Sequence, residues 1–196
     1  MSRRVGEIAK RRKSIRRFKS EKFEMDILLE CIEVAKEAPS GSNAQPWYFV
    51  IVEDEKLKEE LKIVCEKGER KFYSHVRGKL AEWLESKGLN WQKPFLTEVP
   101  YLIAVFSSKK APYSRESVWI AIGYLLLAIE EAGLASLTYT PPNRSEVAKL
   151  LNSPNDYRLE VLIPVGYPNE EKVKEPRRSL YELVSINKFN NKLQKQ

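Results

Sequence analysis

Apolar positions along the chain alternate between helical spacing and short continuous runs. Met25, Leu28 and Ile32 recur at helical spacing, which predicts an amphipathic helix over 24–38, and Pro39 ends it. The same spacing predicts further helices over 3–13, 54–66, 69–87, 115–132 and 144–152. Short apolar runs predict strands over 47–52, 102–106, 137–140 and 159–165. Few strands separated by helices favour an α+β sandwich over a wound parallel sheet.

The most apolar predicted helix spans 115–132, with VWIAIGYLLLAI at its centre. Apolar residues at nearly every position predict burial on most sides of this helix, and Gly133 ends it. Trp119 and Tyr124 of this helix, and also Tyr101, are assigned to the core rather than to a ligand site.

The last part of the chain, 170–196, is polar with a few apolar residues. These residues are Leu180, Leu183, Val184, Ile186 and Phe189. So few apolar side chains cannot form a core of their own, and we expect the segment to wrap another surface, such as a second subunit. No repeat or low-complexity linker divides the chain, which favours a single domain over 1–196.

Composition narrows the possible classes of protein. Apolar residues make up 42% and charged residues 31% of the chain, which is typical of a folded domain that stays dissolved. No run of 18 apolar residues occurs, so no membrane span is expected. The basic N-terminus lacks the apolar stretch of a secretory signal. Cys31 and Cys65 form neither a disulfide framework nor a metal-type cluster, which favours the cytoplasm.

Positive charge is concentrated near the N-terminus. Residues 1–22 hold ten Lys or Arg and two Glu, a net of +8, and the whole chain carries +7, so the remainder is at −1. A basic segment can indicate a nucleic-acid-binding module, although no aromatic interleaving or known nucleic-acid motif accompanies this one. The other interpretation is a small anionic ligand, such as a phosphate, bound by a few arginines. No GxGxxG follows the first strand, which argues against a Rossmann-type dinucleotide site.

Two arginine-containing motifs could bind such an anion. RRKSIR spans 11–16 and EPRRSL spans 175–180, and guanidinium groups bind phosphate through paired N–H donors. Taken alone, each motif is better explained as a solvated basic face. APSGSNAQPW at 38–47 adds a turn of small and polar residues directly before a buried strand. That arrangement suits a ligand held by backbone N–H groups.

The order of these motifs, with an apolar helix ending in AGL and LIPVGYP at 162–168, resembles the flavin-dependent nitroreductase superfamily. Proteins of that superfamily are homodimers that bind FMN non-covalently in pockets built from both subunits. The resemblance covers nearly the whole chain and implies FMN as the cofactor. It also implies a sandwich of helices around a central mixed or antiparallel sheet, and a C-terminal arm over 170–196 that embraces the partner subunit.

Matching the superfamily motifs residue by residue implies a set of cofactor-binding residues. They are Arg12, Lys13, Ser14, Arg16, Pro39, Ser40, Gly41, Thr138, Tyr139, Thr140 and Arg177. In the superfamily the first motif holds the phosphate and the pyrimidine edge of the ring, and Arg177 matches a phosphate-binding arginine. The residues at 39–41 would border the flavin of the neighbouring subunit. Thr140 would be catalytic, because its hydroxyl would hydrogen-bond the flavin N5 atom and favour one-electron steps.

Residues 69–93 form an insertion that resembles the active-site lid of the iodotyrosine deiodinase branch. Glu69 and Tyr73 are four residues apart and share a face if they lie on a helix, and Lys93 follows in NWQK. The resemblance implies that Glu69 pairs with the substrate ammonium and Lys93 with its carboxylate, while Tyr73 adds a hydrogen bond. Three such partners would select an amino acid by charge complementarity.

The implied activity is FMN-dependent reductive dehalogenation of a halotyrosine, a small aromatic substrate. Its phenolate oxygen would be held by the flavin ribose hydroxyl and by the backbone N–H of Ser42. The lid is expected to be disordered without ligand and to order on binding, which would exclude water and set the stacking geometry.

Several features keep other interpretations open. The lid is one residue shorter between Tyr73 and Lys93 than the branch pattern, and Glu66 could take the place of Glu69. Asn43 and Gln45 are typical of ordinary nitroreductases, so a general NAD(P)H-dependent nitroreductase or quinone reductase is the alternative. The lid side chains could also form only a solvated face of a helix.

Overall fold

A four-stranded sheet lies at the centre of the chain in the computed structural model, which describes residues 4–193. The strands are β1 (Trp47–Val52), β2 (Tyr101–Ser108), β3 (Ala135–Ser136) and β4 (Tyr157–Gly166). Their order is β1-β2-β4-β3, so the apolar strands β2 and β4 form the inner pair. Every neighbouring pair is antiparallel, which is one of the two arrangements that the resemblance implied.

Helices cover both faces of this sheet. They are α1 (Arg4–Arg11), α2 (Met25–Lys36), α3 (Glu55–His75), α4 (Lys79–Ser86), α5 (Phe95–Glu98), α6 (Ser114–Glu131), α7 (Arg144–Leu150) and α8 (Leu180–Leu183). A 3₁₀ turn over Gly41–Asn43 precedes β1. Among residues 4–193, no helix is both long and apolar enough to cross a membrane.

Two hydrophobic cores lie on opposite faces of the sheet, because side chains alternate along each strand. In β2, Leu102 and Ala104 belong to the core under α3, α5 and α7. Ile103 and Val105 belong to the other core, under α2 and α6. All four side chains are fully buried, and each large one stabilises the fold by about 1.5–3 kcal/mol. The predicted α+β sandwich is therefore confirmed.

The predicted break between two helices at 54–66 and 69–87 is wrong. Helix α3 runs without interruption from Glu55 to His75, and the break comes at 76–78, before α4. Gly68, between the two predicted helices, is a packing position, since a Cβ there would lie 2.5 Å from Asn143 Oδ1. The true break has Gly78 at φ +64°, a conformation that favours glycine. Glu69 and Tyr73 therefore lie on a continuous helix.

Helix α6 is buried on one face only, which corrects the predicted burial on most sides. Tyr101 lies in the core as expected, but Trp119 is 37% and Tyr124 40% exposed. Helix α6 packs on the sheet, on α2 and on α1, while Trp119 and Tyr124 leave aromatic surface exposed.

The third predicted strand, 137–140, is also corrected. Strand β3 is Ala135–Ser136, and the segment after it meets β4 at an isolated bridge between Tyr139 and Leu162. The short helix α5 had no signal in the apolar pattern, because four residues are too few to show helical spacing.

The C-terminal segment first runs along the N-terminal one. Asn169 N–H donates to the Arg17 carbonyl at 2.9 Å, and Lys172 Nζ donates to the Ser14 carbonyl at 3.2 Å. Beyond them, Leu180 and Phe189 are 66% and 93% exposed. The prediction that 170–196 embraces a partner stays a prediction, and its last three residues lie outside the described part of the chain.

Candidate functional site

A cavity of about 890 Å³ opens between α3, α4 and the segment that follows β3. It gathers residues from five separate parts of the chain. The predicted site residues that line it are Arg16, Glu69, Tyr73, Lys93, Thr138, Tyr139 and Thr140. The fold therefore brings together the predicted lid residues and the predicted threonines, although up to 71 positions separate them in the sequence.

A buried ion pair between Glu69 and Lys93 lines the cavity. Glu69 Oε2 lies 3.1 Å from Lys93 Nζ, and the two side chains are only 8% and 10% exposed. Lys93 also donates to the Asn90 carbonyl. Burial lowers the pKa of Lys93, and Glu69 opposes that effect. Buried charges are rarely kept without a specific role, so this pair is stronger evidence for a site than the sequence was.

Glu66 has a different contact from Glu69. Its Oε1 accepts the backbone N–H of Lys93 at 2.8 Å, and it is less deeply buried. Glu66 therefore fixes the chain at the end of the lid, whereas Glu69 faces the ammonium of Lys93. Within the chain, Glu69 is therefore the carboxylate that pairs with the Lys93 side chain, while the assignment of Glu69 rather than Glu66 to a substrate ammonium stays a prediction.

Tyr73 lies one helical turn beyond Glu69 on the same face of α3, as expected from their spacing. Its ring centroid is 5.2 Å from Lys93 Nζ, within reach of a cation–π contact. Burial, and then the charge of Glu69, raise the pKa of Tyr73. The predicted trio of Glu69, Tyr73 and Lys93 thus meets around one cationic group.

The remainder of the predicted lid is α4 and its flanking loops. Gly78 and Gly88, on either side of α4, have φ of +64° and +61°. Both positions suit hinge points, because glycine adopts this backbone region without strain. Lys87 at the end of α4 pairs with Glu175 at 2.7 Å, which connects the lid to the C-terminal segment. The expected disorder of the lid without ligand stays a prediction.

Thr138 and Thr140 reach the cavity from either side of Tyr139. The backbone of Tyr139 is held on both sides by Leu162: its N–H donates at 2.9 Å and its carbonyl accepts at 2.8 Å. Its hydroxyl donates to Glu69 Oε1 at 2.9 Å. The polar groups of Tyr139 are thus occupied within the chain, while its assignment to cofactor binding stays a prediction.

A cluster of cations lies at the N-terminal motif. The Arg12 guanidinium has a buried Nε without a partner among the described residues, and its Nη2 donates to Ser14 Oγ at a long 3.4 Å. Burial lowers the pKa of Arg12; nearby Glu130 opposes this, and Arg177 adds to it. Lys174 is close to both arginines, and its pKa is lowered by burial and by their charges.

The other residues of this motif extend the cluster toward the cavity. Lys13 and Ser14 are half-buried, and the Ser14 carbonyl accepts from both Lys172 Nζ and Arg16 Nη1. Lys172 and Lys174 were not predicted from the sequence as site residues. Their only signal was two lysines at alternate positions shortly before a predicted phosphate-binding arginine.

The predicted turn at 39–42 lies apart from this cavity, against the N-terminus of α6. Gly41 N–H donates to Ser117 Oγ at 3.3 Å, and a Cβ at Gly41 would lie 2.8 Å from Tyr113. Pro39 and Ser42 are exposed, and Ser42 has φ of 53°. None of these residues lines the cavity within residues 4–193, so a single chain does not bring Ser42 to Glu69.

Comparison with known proteins agrees with this arrangement. The Nitroreductase family model matches residues 9–167. The chain is 58% identical to the iodotyrosine deiodinase of Thermotoga neapolitana over 183 residues, which is 93% of this chain and 97% of that protein. It is 39% identical to the iodotyrosine deiodinase of Haliscomenobacter hydrossis over 173 residues, 81% of this chain and 77% of that one.

A solved structure shows the same likeness in three dimensions. A crystal structure of oxidized iodotyrosine deiodinase bound to FMN and 3-iodo-L-tyrosine superposes with a TM-score of 0.91 at 57% identity. The match covers 94% of this chain and all of that one. Sequence, family model and fold therefore agree, and the chain belongs to the nitroreductase family, in its iodotyrosine deiodinase branch.

Proposed function

We propose that this chain is an FMN-dependent oxidoreductase that removes halide reductively from halotyrosines. The observation that carries the proposal is the buried pair of Glu69 and Lys93, 3.1 Å apart beside Tyr73 on a large cavity. A general reductase of nitro compounds has no need for a buried cation and anion at this position. The 58% identical relative is an iodotyrosine deiodinase, and the matching structure holds FMN and an iodotyrosine.

The two charges suit an amino acid zwitterion. A substrate that enters between them replaces one ion pair with two, because its ammonium faces Glu69 and its carboxylate faces Lys93. Glu69 and Lys93 then each keep an oppositely charged partner. The free-energy cost of burying these two charges is therefore still compensated in the complex. Tyr73 closes the site from the next turn of α3. A ligand that enters between them with only one of the two charges leaves Glu69 or Lys93 without an opposite charge, which provides selectivity.

The cation cluster fits the phosphate of FMN. Arg12 has a buried Nε without a partner among the described residues, and Lys174 and Arg177 add positive charge, with Glu130 nearby. Arginine donors bind phosphate oxygens in pairs. Lys13, Ser14 and Arg16 continue this surface toward the cavity, where Thr138 and Thr140 would meet the ring. FMN, when bound, supplies the electrons by which the carbon–halogen bond is replaced by carbon–hydrogen.

A homodimer would complete the site. The turn at 39–42 lies outside the cavity of its own chain, and Trp119 and Tyr124 expose aromatic surface on the neighbouring helix α6. We propose that α6 and the C-terminal arm pack against a second copy, which would bring the Ser42 N–H to the phenolate oxygen in the partner's site. Light scattering should give twice 22.8 kDa, and removal of 178–196 should lower both this mass and the bound FMN.

The proposal also places the protein in the cytoplasm. Both cysteines are free and buried, which suits a reducing compartment in which disulfides do not persist. A single band with unchanged mobility on gels run with and without reductant, for protein isolated from its native cells, would agree with this location. A disulfide between chains would contradict it.

The decisive activity test uses the FMN-loaded protein with dithionite as reductant. Iodotyrosine should quench flavin fluorescence and release one iodide for each molecule consumed, and Thr140→Ala should slow this release. A nitro compound serves as the comparison substrate. Reduction of the nitro compound with no quenching and no iodide release from iodotyrosine would favour the alternative, a general nitroreductase or quinone reductase.

A further inference from the structure

Glu69 has two partners of different character. Its Oε2 pairs with Lys93 Nζ at 3.1 Å, on the side of the cavity. Its Oε1 accepts the hydroxyl of Tyr139 at 2.9 Å, a distance typical of a good hydrogen bond. A substrate ammonium would replace the first partner, whereas the second, which also lines the cavity, is packed into the core under α3 and α5.

Tyr139 is held rigidly from three directions. Both backbone polar groups bond to Leu162 in the inner strand β4, at 2.9 Å and 2.8 Å. Its ring packs edge to face on Phe95, with centroids 5.4 Å apart and an interplanar angle of 71°. Cys65 lies close enough on α3 to affect the pKa of Tyr139. A hydroxyl fixed to the sheet in this way can hold a carboxylate on a helix in one orientation.

The chemistry of the phenol suits this position. Burial first, and then the interactions with neighbouring Cys65 and Glu69, raise the pKa of Tyr139, so the hydroxyl stays protonated and remains a donor. A phenol is also uncharged. It satisfies one oxygen of the buried Glu69 without neutralising it, and the negative charge remains available for an ammonium. An arginine in the same place would compete with the substrate.

We propose that Tyr139 is a positioning residue that fixes the Glu69 carboxylate for the substrate ammonium and so contributes to selection of amino acid substrates. The inference rests on the proposed function. It predicts that the hydroxyl matters for ligands that carry an ammonium and has no effect on ligands that lack one. A residue that supported only the fold would affect both kinds of ligand alike.

The test compares Tyr139→Phe with the matched control Tyr101→Phe in FMN-loaded protein. Tyr101 is another buried tyrosine, whose hydroxyl donates to the Phe23 carbonyl at 3.2 Å in the opposite core. Flavin fluorescence quenching measures the Kd of iodotyrosine and of ortho-iodophenol, which has no amino acid group. Tyr139→Phe should raise the Kd of iodotyrosine about tenfold, since hydrogen bonds to charged groups are the stronger ones. The Kd of ortho-iodophenol should stay unchanged, and Tyr101→Phe should alter neither.

A double-mutant cycle gives a second, independent readout. In a Glu69→Gln background, Tyr139→Phe should cause little further loss of iodotyrosine affinity, because the two residues act through one contact. Additive losses would overturn the inference. So would equal losses for both ligands, or a fall in FMN content at an unchanged Kd for iodotyrosine. Wild-type protein that failed to bind iodotyrosine would overturn the proposed function, and this inference with it.

Discussion

Two buried glutamates, Glu69 and Glu160, differ in how fully their carboxylates are bonded. Glu160 is fully buried, and four donors surround it: Ser107 Oγ at 2.6 Å, Arg158 Nε at 2.8 Å, and Arg115 Nε and Trp119 Nε1 at 3.3 Å each. Glu69 has one fixed donor in Tyr139 and one cation, Lys93, at the edge of a cavity.

The difference separates a structural carboxylate from one that can bind a ligand. Glu160 sits at the irregular register between β2 and β4, where Val105 pairs with Val161 but Phe106 pairs with Leu159. Such a bulge turns a side chain to a new direction, and this one is saturated by its own chain. Glu69 keeps a partner, Lys93, that a substrate ammonium would replace under the proposed function. Burial alone therefore does not identify a functional acid; an exchangeable partner beside a cavity does.

Substitution of Glu160 should give the largest effect on stability. Glu160→Gln removes the negative charge between Arg115 and Arg158, and should lower the free energy of unfolding by about 3 kcal/mol. Urea unfolding of the FMN-loaded protein measures this loss. The Kd of iodotyrosine should not change. A large change in that Kd at full FMN occupancy would contradict the distinction between a structural Glu160 and a ligand-binding Glu69.

Substitution of Glu69 should have its main effect on ligand binding. Glu69→Gln should raise the Kd of iodotyrosine roughly 100-fold, because the substrate ammonium loses its buried anionic partner. Reduction of nitro compounds should be largely retained, since they carry no ammonium. Steady-state rates with both substrates check this expectation. Parallel loss of both activities would mean that the lid residues have been wrongly assigned.

The pH dependence of stability should follow Glu160. Burial alone would raise the pKa of Glu160, but hydrogen bonds from Ser107 and Arg158, with the arginine charges, hold it below the ordinary value of 4.5. The folded pKa therefore lies below the unfolded one. The ionised carboxylate stabilises the fold above pH 4.5, and this contribution is lost as the pH falls through the folded pKa.

In Glu160→Gln, the loss of stability below pH 4.5 should therefore be smaller than in wild type. Urea unfolding across an acidic pH series measures the difference. Identical pH profiles for the two proteins would show that the carboxylate has the same pKa in the folded and unfolded chains.

The smallest effect is expected at Glu66, the natural control for Glu69. Glu66→Gln keeps an acceptor for the Lys93 N–H, so it should weaken iodotyrosine binding only about threefold, by loosening the end of the lid. The same fluorescence titration measures it. A loss as large as that of Glu69→Gln would assign the ammonium contact to Glu66 instead.

Local sequence patterns predicted the helices and strands of this fold better than they predicted its long-range contacts. Strands β1, β2 and β4 and helices α2 and α6 follow from the apolar pattern, since their apolar faces meet the two cores. Gly68 lay between two predicted helices, because the sequence does not show that Asn143 packs against it. The Tyr139 hydroxyl meets Glu69 across 70 positions, so only the fold could reveal that contact.

The predicted site shows the same difference between local patterns and contacts of distant residues. Glu69, Tyr73 and Lys93 were found through a resemblance, and the structure brings them together. Periodicity alone would have left them as a solvated face of a helix. Glu160 had no sequence signal at all, because a β-bulge depends on the pairing of two strands.

The most direct test is a titration of the FMN-loaded protein with iodotyrosine and with the analogue that lacks only its amino group. We predict that wild type binds iodotyrosine roughly 100-fold more tightly than the analogue. Glu69→Gln should remove most of this preference. Equal affinities of wild type for the two ligands would contradict the central claim that the buried carboxylate of Glu69 recognises the substrate ammonium.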